Sequence, residues 1–538
     1  MSAPISDDGT HSEQNKDIPE SFRAPPRMPA ATQFYITSAP MEAELASRQV
    51  RVPEPPLRRR ADSTMTLVGR VVKVISFAVV VALLTIFAKP LWQGARALLD
   101  ADSQTLQRSN QVTANNAPAK STPVAATTIA AVPAPEPSAG PQGQQASLPP
   151  SAPALAQEPS GTVQGVTDNE IRFGISAPFS GVAKELGRMK LGIEAAFNAA
   201  NASGGVHGRQ LRLIAADDGY EPARTAVTMK QLYEKDQVFG FVGNVGTPTA
   251  LVGLPYALER KMLFFGAFTG AGLLRNNPPD RYVFNYRASY AEETAATVQY
   301  LVKVRRLRPE QIAVFAQQDA YGDSGFAGVT KAVRSLGGND SAILRLNYQR
   351  NTVDVDAAVA ELQARNSTRG RLPIKAVIMV PTYRAAAKFI EKTRDLYPDM
   401  IYTSVSFVGS TALAEELKLL GPRYATGVIV TQVVPALDGH SSLVLDYKTA
   451  LGKYFPGEAP DYVSLEGYVA ANVLIAALKR NGRALDTERL VTTLEDLRDL
   501  DLGLGTPVTF SRSEHQGVHK VWGTQLDATG NYRPIDLE

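Results

Sequence analysis

The sequence predicts an α/β protein of two doubly wound lobes, preceded by a disordered N-terminus, one transmembrane helix and a Pro/Ala-rich linker. Three observations carry this. From Val166 onward, short apolar runs alternate with amphipathic stretches of helical period, the texture of repeated βα units with mostly parallel sheets. Roughly 370 residues of that texture exceed what one core holds, so two lobes are expected. Ahead of them an uncharged apolar run, Val74–Ala88, gives way to a long stretch of Ala, Pro, Ser, Thr and Gln.

The bulk composition narrows the function classes. A net charge of +3 over 538 residues makes no electrostatic case for nucleic acid. The absence of cysteine removes disulfides, thiolate catalysis and cysteine metal sites without fixing the compartment. With five histidines, any metal chemistry would rest mainly on carboxylates. No metal and no cofactor is expected.

Residues 1–70 are rich in Pro, Ser, Ala and charge, with no sustained apolar period, and are expected to be disordered and cytoplasmic. The apolar core that follows is shorter than the ~20 residues of a spanning helix. Val71, Val72 and Pro90-Leu91-Trp92 extend it to 71–92, Lys73 and Lys89 can snorkel, and Trp92 suits the interface. Basic residues, among them Arg58, Arg59, Arg60 and Arg70, cluster before the span. The reading is therefore a single-pass inner-membrane anchor with the remainder in the periplasm. A cleaved signal peptide from an internal start at Met65 is the rival, with Ala95-Arg96-Ala97 as its cleavage site. That site lies far past the apolar run, which favours the uncleaved anchor; mature protein beginning near Leu98 would reverse the choice. Residues 93–165 form a linker whose ends lie roughly 45 Å apart as a coil and up to about 200 Å apart as extended polyproline.

The βα series then runs in order. Strand patterns at Glu170–Ile175, Leu211–Ala216, Val238–Val242 and Met262–Phe265 alternate with helical ones at Ala183–Asn201, Pro222–Tyr233 and Pro248–Arg260. After Tyr282-Val-Phe-Asn285 the cycle restarts with helix Ala291–Val304. Strands Gln311–Phe315, Ala342–Tyr348 and Ile374–Val380 follow, interleaved with helices Gly325–Leu336, Val355–Ala364 and Arg384–Leu396. Ligands of such sheets bind beyond the carboxyl ends of strands. There the loop Gly243-Asn-Val-Gly-Thr-Pro-Thr-Ala250 reads as strand, glycine turn and helix start, with Thr247 as N-cap and Pro248 in the first helical position. Its free N–H groups and helix dipole suit a carboxylate or phosphate. A ligand-free, well-capped turn explains this loop, taken alone, better than a site does. A second glycine turn, Gly266-Ala-Phe-Thr-Gly270, shifts the balance towards a site.

Taken together the motifs resemble the type I periplasmic binding proteins, specifically the branched-chain amino-acid (Leu/Ile/Val) receptors of ABC transporters. The resemblance covers about two thirds of the chain, Gly165 to Glu538. It rests on Ile171-Arg-Phe-Gly-Ile-Ser-Ala-Pro-Phe-Ser-Gly181, Asn201-Ala-Ser-Gly-Gly-Val-His-Gly-Arg209, Asp217-Asp-Gly-Tyr-Glu-Pro222 and the Gly243 loop. Ala320-Tyr-Gly-Asp-Ser-Gly325, Glu466-Gly-Tyr468 and Phe510-Ser-Arg-Ser-Glu-His-Gln-Gly517 continue it. It implies two lobes joined by three crossovers near Tyr286–Ser289, Val428–Val433 and Leu502–Val508. The first lobe would be 166–288 plus 431–503, and the second 289–430 plus 504–538. It also implies ligand residues: the Thr247 hydroxyl, an Ala267 backbone group and the Thr269 hydroxyl gripping a carboxylate. Tyr321 and Tyr383 would close over the ligand from the second lobe. The family's acid for the ligand ammonium aligns with Ser406, which cannot replace it. Either Asp319 or Asp323 substitutes, or the ligand lacks an ammonium, the reading preferred here. Leu186, where an aromatic is common, points to an altered pocket wall.

No nucleophile elbow, P-loop or dinucleotide fingerprint is present, so no enzyme is expected. His515 and His519 have metal-pair spacing, but Gly517 between them breaks the helix this requires. Asp217 and Asp218 read as a helix-entry loop rather than a metal site. The expected function is a membrane-anchored periplasmic receptor that delivers a carboxylate-bearing solute to an ABC permease. The alternative is a tethered sensor that reports the ligand to a signalling partner.

Overall fold

Two sheets organise residues 163–538, the part of the chain that the structure, a computed structural model, describes. The expected disordered N-terminus, the 71–92 span and all but the end of the linker lie outside the described residues. Among the described residues no helix is long and apolar enough to cross a membrane.

The first sheet holds β1 (Glu170–Ala177), β2 (Gln210–Asp217), β3 (Gly240–Val242), β4 (Leu263–Phe265) and β5 (Val283–Phe284), all parallel, in the order β2-β1-β3-β4-β5. The second holds β6 (Ile312–Gln317), β7 (Leu344–Tyr348), β8 (Ala376–Val380), β9 (Ile401–Ser404) and β10 (Ile429–Gln432). Their order, β7-β6-β8-β9-β10, repeats that of the first sheet. An antiparallel pair, β11 (Trp522–Leu526) and β12 (Tyr532–Ile535), extends the β10 edge. Helices cover both faces, which is why β6 (IAVFAQ) and β8 (AVIMV) are buried at every position instead of alternating. Each sheet reverses direction of growth at one point, between β1 and β3 and between β6 and β8, and such switch points are where open α/β sheets bind ligands.

Helix Tyr462–Asn481 is apolar nearly all round because it is buried on most sides, packing on Met189–Ala202 of the first lobe. The helices cross at Gly192 and Gly467: a Cβ on either would lie within 2.2 Å of a backbone oxygen of the other helix. This is the physical content of the Glu466-Gly-Tyr468 motif.

Two expected boundaries shift. The 430/431 boundary falls inside β10, which belongs wholly to the second sheet. The third crossover lies later than Leu502–Val508. That segment folds back in an antiparallel bridge between Leu500 and Val508, and Phe510 and His515 then pack on Phe284 of the first sheet. The chain crosses after Gln516–Val518, which runs beside the first crossover through Asn285 N–H to His515 O (2.8 Å), Gly517 N–H to Asn285 O (2.8 Å) and Val518 N–H to Tyr286 O (3.0 Å). The apolar partners for Phe510 and His515 lie in the first lobe, so the chain stays there longer than the resemblance implied.

Candidate functional site

The first lobe supplies two loops at its switch-point side. β3 ends at Val242, and Gly246 (φ 106°) makes the turn; a Cβ there would lie 2.4 Å from the Tyr220 ring. Because Gly246 takes the cap position, helix Thr247–Glu259 starts one residue earlier than expected. Thr247 therefore lies inside the helix, with Gly246 as cap and no side-chain cap bond. Its hydroxyl instead lies 2.7 Å from that of Thr269 in the loop after β4. The loops are laced together by Phe268 N–H to Asn244 O (2.8 Å) and Gly246 N–H to Phe268 O (3.1 Å). Ala267 points into the core beneath, and its carbonyl accepts the Thr269 N–H at 2.8 Å. The second glycine turn leads into a short 3-10 turn, Gly272–Leu274, and not an α-helix, so only the first loop has a helix dipole behind it.

Across the cleft stands Tyr290, which the sequence did not single out. It opens helix Tyr290–Gln299 of the second lobe, donates its N–H to Gly270 O at 2.8 Å, and sets its hydroxyl beside Thr247 and Thr269. Burial pushes the phenol up to about 12, partly offset by Arg287 and the two threonines, so it is neutral at physiological pH. Tyr321 is fully buried 5.4 Å from the Tyr290 ring, its hydroxyl donating to Pro381 O. Phe407, also unforeseen, fills the space between the lobes. Its ring centroid lies 4.6 Å from Tyr321, 5.0 Å from Phe268, 6.1 Å from Tyr220 and 6.3 Å from Tyr290. The structure thus gathers Thr247, Thr269 and Tyr321 around an aromatic cluster contributed by both lobes.

Ser406 sits in a buried ionic network. Its N–H (2.8 Å) and hydroxyl (3.1 Å) donate to Glu293, and its hydroxyl accepts from Arg287. Glu293 also accepts from Arg287 (2.9 Å) and Thr431 (2.5 Å), and Arg287 reaches Glu466 at 3.4 Å. Four donors fill the lone-pair sites of the Glu293 carboxylate. Burial by itself would lower the Arg287 pKa, but Glu466 and Glu293 beside it more than offset this and hold it raised. Glu466 is pushed up to about 7, chiefly by burial, with Arg287 opposing and Glu293 adding to the shift. The two acids considered as substitutes at Ser406 are engaged elsewhere. Asp319 caps its helix at Tyr321 N–H (3.0 Å) and pairs with Arg350 (3.0 Å), while Asp323 pairs with Arg345 (2.6 Å). The acid against Ser406 is Glu293, which in sequence is one more polar residue in a helix's first turn.

Tyr383 is placed elsewhere. It and Leu186 flank Gly409, and Tyr383 lines a cavity of about 480 Å³ on the outer flank of the cleft. Its hydroxyl is buried beside the Glu185 backbone. His515 stacks on Phe284 (3.9 Å) and His519 bonds Glu292 (2.6 Å), so the two serve different contacts. Asp217 accepts from Phe179 N–H (2.8 Å) and Arg224 (2.7 Å), while Asp218 turns inward to Ser176 (2.8 Å) and Thr225 (3.0 Å). Among the described residues, no group of three or more His, Asp or Glu side chains could hold a metal ion.

The fold has known relatives. The family model described as "Periplasmic binding protein" matches residues 170–531. A crystal structure of a possible leucine/isoleucine/valine-binding protein from Rhodopirellula baltica is 40% identical, covering 70% of this chain and 98% of that one, with a TM-score of 0.63. The Leu/Ile/Val-binding protein homolog 3 of Brucella melitensis is 25% identical over 64% of this chain and 88% of its own length. An amino acid binding protein of Pseudomonas aeruginosa is 23% identical over 58% of this chain and 79% of its own.

Proposed function

The chain belongs to the periplasmic binding protein family, and on that basis we propose that it is a membrane-anchored periplasmic receptor that captures a small carboxylate-bearing solute. It hands that solute to an ABC importer. The observation that carries the ligand class is the Thr247–Thr269 hydroxyl pair, 2.7 Å apart, at the start of a helix and at the switch-point side of the first sheet. A carboxylate accepts from both hydroxyls where the Tyr290 phenol now stands. Tyr290, Tyr321 and Phe407 belong to the second lobe, so opening about the crossovers withdraws all three from the threonine pair. The solute docks on the first lobe, and closure returns the aromatic rings around it in place of Phe407's present packing.

The saturated Glu293 carboxylate has no site left for a ligand ammonium, which favours organic acids and amides over α-amino acids. The Leu/Ile/Val-binding relatives support the general role of solute capture. The test is a thermal-shift screen of the full-length chain against amino acids, aromatic acids, amides and short aliphatic acids. A carboxylate solute is expected to raise the melting temperature, and Thr269→Ala to reduce that shift. If none of the four classes raises it, the reading fails.

A second reading, a membrane-tethered sensor acting through a partner protein, is favoured by the anchor and the segment before it, which a diffusing shuttle does not need. Deleting residues 1–164 separates the two. Unaffected uptake with a lost transcriptional response would favour the sensor.

A further inference from the structure

Five aromatic rings meet in the cleft, and they come from both of its sides. Tyr220 and Phe268 belong to the first lobe, and Tyr290, Tyr321 and Phe407 to the second. Each lies just beyond the carboxyl end of a strand: Tyr220 after β2, Phe268 after β4, Tyr290 after β5, Tyr321 after β6 and Phe407 after β9. Open α/β sheets take their ligands at those ends. A core that only stabilises a lobe is assembled within it, whereas this cluster straddles the surface along which the lobes part.

Phe407 is the central ring, and its four neighbours are anchored independently of it. Phe268 is tied by backbone bonds to Asn244 and Gly246, and Tyr290 by its N–H to Gly270 O. The Tyr220 hydroxyl accepts from Gln317 (3.2 Å), and the Tyr321 hydroxyl donates to Pro381 O (3.3 Å). Phe407 itself rides on one 3-10 turn, Ser406–Val408, closed by Gly409 at φ 83°. The cage is thus built from fixed parts, and the ring inside it is the replaceable one.

The cage suits an arene better than an aliphatic group of the same size. Tyr321 and Tyr290 meet the Phe407 ring steeply, at 60° and 79°, while Phe268 lies more nearly along it, at 32°. Edge-to-face and offset contacts of this kind use the ring quadrupole, which a saturated group lacks. The clamp adjoins the cage directly. Thr269 follows Phe268 in the same loop, and Tyr290 spans the two, with its hydroxyl at the threonine pair and its ring in the cage. The Arg287 guanidinium, 5.2 Å from the Phe268 ring and 5.7 Å from the Tyr290 ring, adds a positive charge behind this wall.

We propose that Phe407 holds the place of the solute's own aromatic ring, so that the site takes an aryl acid whose ring and carboxylate are joined directly or through a short arm. This rests on the carboxylate clamp proposed above and names what the carboxylate is attached to. The acid docks its carboxylate on Thr247 and Thr269, its ring enters the cage, and Phe407 swings out on its turn. Phe407 is then a competitor built into the chain, and it sets how tightly a solute must bind to displace it.

The test is titration calorimetry of the full-length chain in detergent with matched pairs of acids: benzoate and cyclohexanecarboxylate, phenylacetate and cyclohexylacetate, 3-phenylpropionate and 3-cyclohexylpropionate. In at least one pair the aryl acid is expected to bind about tenfold or more tightly than its saturated partner. Phe407→Ala is expected to raise the affinity for that aryl acid about tenfold. Tyr321→Leu is expected to cut the aryl-to-saturated ratio about threefold, whereas a merely structural loss would weaken both members of the pair alike. Cooperative melting shows that each variant is folded, and the wild-type ratio carries the test without them. Equal binding within every pair overturns the aryl assignment and leaves the carboxylate clamp standing. Unchanged affinity in folded Phe407→Ala overturns the displacement of Phe407. Binding of no acid, by the wild type or by Phe407→Ala, overturns the clamp and the aryl assignment together.

Discussion

The floor of the cleft and its outer flank are built on opposite principles. On the floor, Arg287, Glu293, Glu466, Ser406 and Thr431 are all buried, and Glu293 alone takes four donors. Aromatic rings from both lobes close over this network. On the flank, five carboxylates face two guanidinium groups. A dry region tolerates charge only when it is paired, whereas a region open to solvent can keep charge in reserve. The floor thus fixes how the closed lobes meet, and the flank leaves its charge to the solvent.

The strongest way to break that contrast is Arg287→Ala, which strands Glu293 and Glu466 in the interior. A loss of about 3–5 kcal/mol in denaturant-induced unfolding is expected. A loss below about 1 kcal/mol would mean the floor is wetter than its geometry indicates. Phe407→Ala comes next. Removing a fully buried ring should cost about 3 kcal/mol while making room against Thr247 and Thr269, so calorimetry should find tighter binding of organic acids. Weaker stability with unchanged affinity would show that Phe407 lies outside the ligand's path.

A gentler probe uses pH. The folded pKa of Glu466, about 7, lies above its ordinary 4.5, so the folded state holds the proton more tightly than the unfolded chain. Its contribution is complete below pH 4.5 and is lost as pH rises through 7, by an amount of order 3 kcal/mol. Melting curves of the wild type should therefore fall relative to Glu466→Gln across that window. Parallel curves would mean that Glu466 is ionised throughout. The smallest effect expected is from Thr269→Ala, about 1.5 kcal/mol or roughly tenfold in affinity for a carboxylate solute, with little change in stability.

How much of this was legible in sequence follows from the range of the contacts. Thr247 and Thr269 lie in loops announced by glycines right after apolar strands, so local pattern marked the loops, while the family resemblance picked out the two hydroxyls. Even so, Gly246 rather than Thr247 caps the helix, because a glycine at positive φ can make the turn that the threonine was expected to make. Ser406 was found as a departure from a family pattern, but its partners were not. Arg287 and Glu293 are separated from it by more than a hundred residues and meet it only because β9 and the first crossover converge. Phe407 and Tyr290 carry no motif at all: an aromatic in a loop or a helix's first turn reads as ordinary core. The third crossover was misplaced for the same reason, since the pairing of Phe510 and His515 with Phe284 is a tertiary fact.

The crossing of helices Met189–Ala202 and Tyr462–Asn481 has a consequence for biosynthesis. Gly192 must wait for Gly467, which leaves the ribosome about 270 residues later, after all the parallel strands of the second sheet. At roughly 5–20 residues per second that is a delay of about 15–55 s. Throughout it the first lobe lacks its largest helix and shows an apolar face to whatever surrounds it. Such a chain cannot finish its first lobe before its second is nearly made, so the face that Gly192 turns to Gly467 stays uncovered through most of its synthesis.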